Sequence, residues 1–210
     1  MGCQSIVDRV IVCDNGSTDE TSKRASSQGA EVVFESEKGY GAACLRAISQ
    51  VESTDILIFV NADKSENISE TQCLLDELLD SHADLVVGSR MLGDIEVKAL
   101  SFHQLWGTRL ASLLLSKFSG VSVTDLGPFR AIRFSCYQQL DMHDKNFGWT
   151  VEMQVKAIKR GFHVIELPVT ALVGASASHV SGNISGALFA SFKILYFIFS
   201  HMFCQKLMSR

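Results

Sequence analysis

Short apolar, β-branched runs recur along the chain and alternate with stretches in which apolar residues return every three or four positions. VIVC, residues 10–13, ends at the polar turn DNGSTDET, after which residues 18–28 carry helical spacing and Gly29 supplies a stop. AEVVFE, residues 30–35, predicts a second strand, and KGYGAACLRAISQ, residues 38–50, a glycine-rich lead into a helix. DILIFV, residues 55–60, predicts a third strand, whose unbroken apolar run suits a parallel sheet covered on both faces. Residues 69–81 have leucines at helical spacing, ADLVVGSR (83–90) is another buried strand, and residues 104–118 form an amphipathic helix. DLGPFRAIR, residues 125–133, predicts a loop running into a strand; residues 150–160 a helix; and HVIELPV, residues 163–169, a strand stopped at Pro168. This alternation predicts a doubly wound α/β sheet.

Residues 184–203 break the beat, being mostly apolar and aromatic with Lys193 and His201 as interruptions. The length approaches a membrane span, but a central lysine is costly in hydrocarbon. The pattern therefore predicts a core or membrane-interfacial helix with Lys193 reaching toward the polar boundary.

At 210 residues the chain suits one sizeable domain, and 47% hydrophobic with 20% charged residues excludes a disordered polymer. A net charge of -4 without clustered Lys and Arg argues against nucleic acid as a partner. The six cysteines (Cys3, Cys13, Cys44, Cys73, Cys136, Cys204) show no zinc spacing and read as reduced thiols of a cytoplasmic protein. Residues 1–9 include Asp8 and Arg9 and lack an apolar stretch of signal length, so no cleavable leader is expected.

In an open α/β sheet ligands bind beyond the carboxyl ends of the strands, and the polar residues cluster there. Asp14, Asn15 and Asp19 follow the first strand, Asn61 and Asp63 the third, and Arg90 the fourth. Asp14 has the chemistry to accept hydrogen bonds from a nucleobase or ribose. Asp63 has the chemistry to hold Mg2+ or Mn2+ between two phosphates, since such ions take oxygen ligands and need only one or two carboxylates beside substrate phosphate. Each feature has a plainer reading: DNGSTD as an Asx turn with a helix cap, Gly39 and Gly41 as places where a neighbouring backbone comes close, and Arg90 as a surface charge.

Taken in order, VIVCDNGSTDET, EKGYGAA, FVNADKSE, DLVVGSR, TDLGPFRAIR and GWTVEMQVKA resemble successive blocks of glycosyltransferase family 2, in its dolichyl-phosphate mannosyltransferase-like branch. The resemblance runs from about residue 6 to residue 182. It implies a GT-A fold, which is Rossmann-like with a mostly parallel sheet, over residues 1–182, with residues 183–210 as the apolar helix. It also implies inverting transfer of a sugar from a nucleotide diphosphate sugar, at the cytoplasmic face of a membrane, to a lipid-phosphate or other acceptor, with peripheral membrane contact. On that resemblance Asp14, with Asn15 and Asp19, lies at the nucleotide; Asp63 is the second acid of a metal-binding Asp-x-Asp; and Arg90 lies near the donor. Glu152 is similar to the acid that takes the acceptor's proton, and Asp125, Arg130, Trp149 and His179 fall on the acceptor side.

The chain departs from the family pattern in four places. The family's opening strand has no counterpart, which predicts an N-terminally incomplete sheet. Asn61 replaces the first acid of the Asp-x-Asp, and Lys64 stands where a small residue is usual. Finally, GASASHVSG (174–182) places Gly174 and His179 at positions the family fills with Arg and Lys. These departures define a competing expectation, a catalytically degenerate member that binds a nucleotide or a partner.

Overall fold

The computed structural model describes residues 6–97 and 99–174; the expected helix at 184–203 and His179 lie outside the described residues. In chain order the elements are β1 (Ile11–Asp14), α1 (Thr21–Ser27), β2 (Glu31–Phe34), α2 (Tyr40–Ile48), β3 (Ile56–Phe59), a 3-10 turn (Ile68–Glu70) leading into α3 (Thr71–Asp80), and β4 (Leu85–Ser89). Then follow α4 (Phe102–Ser119), β5 (Arg130–Arg133), α5 (Phe134–Leu140), α6 (Trp149–Lys159) and β6 (Val164–Pro168). Each expected strand is present. Helix α5 was not expected, because its seven residues, FSCYQQL, are too few to show a helical period.

β1 and β2 pair in parallel, and a second segment has the order β3-β5-β4-β6, in which β5 alone runs antiparallel to its neighbours. The sheet thus runs as two hydrogen-bonded segments. β1 and β3 each keep one edge without a strand partner among the described residues. Helix α2 bridges the two segments, packing on β1 and β2 while Tyr40, Cys44, Leu45 and Ile48 meet the core around Leu57.

The period-2 alternation of the strands sorts the core into two layers. Leu57, Leu85, Val87 and Ile132 face α5 and α6 through Tyr137, Leu140, Trp149 and Met153. On the other face Val86, Ala131 and Phe129 meet Leu74 and Leu78 of α3. β4 is buried along its whole length, as expected of a strand covered on both sides. α4 starts with a capping box in which Ser101 and Gln104 satisfy each other's backbone N–H groups, ends at Gly120 with φ 73°, and packs through Ala111 and Leu115 on Val151 and Val155 of α6. The four described cysteines Cys13, Cys44, Cys73 and Cys136 are free thiols.

Candidate active site

β1 delivers Asp14 to the carboxyl edge of the sheet. Its Oδ1 accepts from the backbone N–H of Ser17 at 2.7 Å and of Gly16 at 3.0 Å, and its Oδ2 accepts from the Ser22 hydroxyl. These bonds, that from the Ser17 N–H foremost, lower its pKa to about 2, so the group is a carboxylate at any physiological pH. The Asx turn expected as the plainer reading is therefore formed, and it is what sets the shape of the loop.

Asn15 is spent on the same loop: its amide donates to the carbonyls of Glu35 at 2.9 Å and Glu37 at 2.7 Å, while its Oδ1 accepts from Gly39 N–H at 2.8 Å. Asp19 accepts from the N–H and hydroxyl of Thr21 at the start of α1. Both side chains, expected at the nucleotide, make these bonds within the protein. Asn15 ties the end of β1 to the start of α2, and Asp19 organises the first turn of α1.

β3 delivers Asn61 and Asp63. The Asn61 backbone N–H donates to Glu66 Oε2 at 3.1 Å and its Nδ2 to Oε1 of the same carboxylate at 3.2 Å. Holding both donors on one carboxylate turns the amide oxygen away from Glu66. Glu66 is only 4% exposed, and its pKa is pushed up to about 7, by burial first and with a contribution from the charge of Asp63. Asp63 Oδ1 accepts from Ser65 N–H at 3.0 Å. Lys64 sits between them with φ 63°, in the left-handed region a lysine rarely adopts, and points into solvent as an exposed residue.

The segment after β6 closes over this loop. Leu172 N–H donates to Ser65 carbonyl at 2.9 Å, and Glu70 accepts from Thr170 N–H at 3.0 Å and its hydroxyl at 2.7 Å. Gly174 comes so close to Asp63 that a Cβ built on it would stand 3.3 Å from Oδ2. Gly174, where the resemblance puts an arginine, thus brings the 170–174 segment up against the second carboxylate oxygen of Asp63.

β4 delivers Arg90, whose guanidinium forks onto Asp125: Nε to Oδ2 and Nη2 to Oδ1, both at 2.8 Å. Burial alone would raise the Asp125 pKa, but the hydrogen bonds and charge of Arg90 hold it below the usual carboxylate range. Arg90 and Asp125 were expected on opposite sides of the reaction; they form one buried pair. Glu166 supports the loop from beneath, accepting from Thr124 N–H at 2.9 Å and its hydroxyl at 2.7 Å.

Three residues expected on the acceptor side are buried and bonded within the protein. Arg130 is fully buried, donates to the carbonyls of Gly127 and, at 2.9 Å, Thr150, and so braces the loop against α6; burial lowers its pKa to about 10. Trp149 is buried in the core, its ring against Phe59 at 4.8 Å and Tyr40 at 5.9 Å between centroids. Glu152 is 2% exposed and fully engaged, accepting from His143 N–H at 3.1 Å and Asp144 N–H at 2.7 Å and pairing with Lys156 at 2.7 Å. It holds the 143–146 loop in place. That loop meets the EKGYGAA stretch: Ala42 N–H donates to Lys145 carbonyl at 2.9 Å, and a Cβ on Gly41 would lie 2.0 Å from Asp144 O. The two glycines therefore serve the approach of a neighbouring backbone. An open concavity of 350 Å³ lined by Val7, Arg9, Gly29 and Glu31 lies at the far end of β1 and carries none of the groups described above.

The sequence profile described as Glycosyl transferase family 2 matches residues 4–141. The chain belongs to that family. An uncharacterized glycosyltransferase of Mycobacterium tuberculosis is 32% identical over 187 residues, covering 87% of this chain and 82% of the relative. The polyprenol monophosphomannose synthase of Mycolicibacterium smegmatis is 28% identical over 174 residues, covering 77% of this chain and 65% of that enzyme. Among solved structures, glucosyl-3-phosphoglycerate synthase from Mycobacterium tuberculosis, in complex with Mn2+, UDP-glucose and phosphoglyceric acid, shares the fold with a TM-score of 0.72 at 20% identity, over 94% of this chain and 69% of that one.

Glu66 and Glu166 are the site-shaping residues that sequence reasoning missed in this family member. Glu166 had a signal, an acid in the middle of the apolar strand HVIELPV, where only a bonded carboxylate is tolerated. Glu66 had none, because an acid after a turn usually faces water.

Proposed function

We propose that this glycosyltransferase binds a nucleotide diphosphate sugar across the carboxyl ends of β1, β3 and β4 and transfers the sugar, with inversion, to a lipid phosphate at the cytoplasmic face of a membrane. The observation that carries the reading is the pair of oxygens at the end of β3: Oδ2 of Asp63, next to Gly174, and the amide oxygen of Asn61, whose backbone and side-chain N–H groups are held on Glu66. The ordered Asp14 loop offers the nucleoside a fixed carboxylate at the neighbouring strand end.

No group of three His, Cys, Asp or Glu side chains suited to a metal occurs among the described residues. One carboxylate and one amide oxygen nevertheless fit a hard divalent ion, Mg2+ or Mn2+, that takes its remaining ligands from the donor diphosphate and water. Such an ion would offset the charge that develops on the departing diphosphate. The solved relative with Mn2+ and UDP-glucose supports this choice of ligand class.

The occupied state of Glu152 bears on the acceptor. A hydroxyl acceptor needs a base to remove its proton, whereas a phosphate monoester, with a second pKa of about 6, is already a nucleophilic anion near neutrality. A site without an open carboxylate at position 152 therefore suits a phosphate acceptor, the chemistry named in the polyprenol relative.

The test is transfer of radiolabelled sugar from UDP- and GDP-sugars to polyprenyl phosphate, with and without Mn2+. Metal-dependent formation of a glycosyl phospholipid is the expected result. A nucleotide-binding protein that transfers nothing to phosphate or hydroxyl acceptors would instead favour the degenerate reading that Asn61 raises.

A further inference from the structure

Helix α4 exposes a stripe that the glycosyltransferase chemistry does not use. Its exposed positions include Phe102, Trp106, Leu110 and Leu113, which are 70%, 60%, 48% and 65% exposed, together with Arg109 and Lys117. At 3.6 residues per turn these six fall within an arc of about 100°, one face of a helix about 27 Å long. The opposite face is the one buried on α6. Val97 and Val121, which flank the helix in sequence, are exposed as well, the former by 86%.

The charge on this face is one-sided. The 18 residues of α4 contain no Asp or Glu, although the whole chain carries a net charge of -4. We propose that α4 is a membrane-docking helix that lies along an anionic lipid surface, with Trp106, Leu110 and Leu113 in the boundary layer and Arg109 and Lys117 on the headgroups. Aromatic and aliphatic side chains flanked by long cationic ones are the composition that settles at this depth, because the stems bury while the charges stay among phosphates. A second copy of this chain fits less well. The stripe is centred on Arg109 and Leu110, so an antiparallel two-fold pairing would set Arg109 against its own copy with no acid on either helix to meet it. No helix among the described residues is long and apolar enough to cross a membrane, so contact through α4 would be along the surface. The inference does not depend on the identity of the acceptor.

Flotation of the full chain with vesicles of phosphatidylcholine alone, or with one third phosphatidylglycerol, tests it. The wild type should float with the anionic vesicles and far less with the neutral ones. The double variant Trp106→Glu, Leu113→Glu should lose at least about tenfold in vesicle partitioning at an unchanged melting temperature; Trp106→Ser, Leu113→Ser guards against an effect of the new charges on folding. Arg109→Gln, Lys117→Gln should remove the preference for the anionic lipid. Wild-type protein that ignores vesicles, or α4 variants that float as the wild type does, would overturn the proposal, the latter by placing the contact elsewhere in the chain. A dimer in solution that the glutamate variant dissolves, without vesicle binding, would overturn it in favour of self-association.

Discussion

Asn61 gives both of its donors, the backbone N–H and the side-chain amide, to the two oxygens of Glu66, at 3.1 and 3.2 Å. The acid that the resemblance puts at position 61 is thus matched by the buried Glu66, which fixes the orientation of the amide. Glu66→Ala should leave the amide free to turn and cost about 1–3 kcal/mol through unmet buried donors. It should also shrink the rise in melting temperature produced by Mn2+ with nucleotide. Asn61→Asp alone would set two carboxylates face to face, one of which must take up a proton. Asn61→Asp with Glu66→Gln restores a donor–acceptor match and should recover the metal response, so the double variant is the check on the pairing.

Arg90 and Asp125 form a bidentate pair in which Asp125 is fully buried. Removing one partner leaves the other charge without compensation, which typically costs about 3–5 kcal/mol. Urea denaturation of Arg90→Ala should show a loss of that order, and Arg90→Ala, Asp125→Asn should be less damaging than Arg90→Ala alone. A single variant as stable as the wild type would remove the pair from the list of groups that hold the 124–129 loop.

Asp14 supplies a pH dependence of known sign. Its folded pKa is lowered, to about 2, so the unfolded chain binds the proton more readily as the solution is acidified. Its contribution to stability is present above about pH 4 and is lost as pH falls toward 2. The stability difference between wild type and Asp14→Asn, measured by urea denaturation at steps from pH 7 to pH 3, should be constant above pH 5 and shrink below it.

Gly41 allows the carbonyl of Asp144 to reach the first turn of α2, and an added Cβ would lie 2.0 Å from that oxygen. Gly41→Ala must push the 143–146 loop away. An overpacking cost of about 2 kcal/mol corresponds to a fall of roughly 4–8 °C in melting temperature for a domain of this size. Differential scanning calorimetry measures this directly.

The layering of the fold was legible because burial on two faces writes itself as continuous apolar runs, as in DILIFV and LVVGS, and helices sitting on those faces show their period. That the strands pair in two separate segments, β1-β2 and β3-β5-β4-β6, is something no local pattern encodes. Side-chain roles were legible only in part. Asp14, Asn61, Asp63 and Arg90 each lie at or just past the carboxyl end of a strand, where the loop positions put them. Asn15, Arg130 and Glu152 look the same in sequence, yet each is bonded to backbone groups between 8 and 24 positions away, and polarity alone does not reveal whether a side chain faces a ligand or a distant peptide. Trp149 shows the same limit: its place beside a glycine does not reveal in sequence that it packs in the core against Phe59 and Tyr40.

The measurement that bears most directly on the donor site is the melting temperature of the full chain with UDP or GDP, each with and without Mn2+, for the wild type and for Asp63→Asn. A ligand that binds only the folded state at a hundred times its Kd stabilises by about 2.7 kcal/mol, roughly 5–11 °C here. The wild type should rise with one nucleotide only when Mn2+ is present, and Asp63→Asn should lose that rise while melting cooperatively near the wild-type temperature. A wild-type protein that melts cooperatively and is indifferent to every nucleotide and metal pair, or an Asp63→Asn variant that responds as the wild type does, would contradict a donor site built on the end of β3.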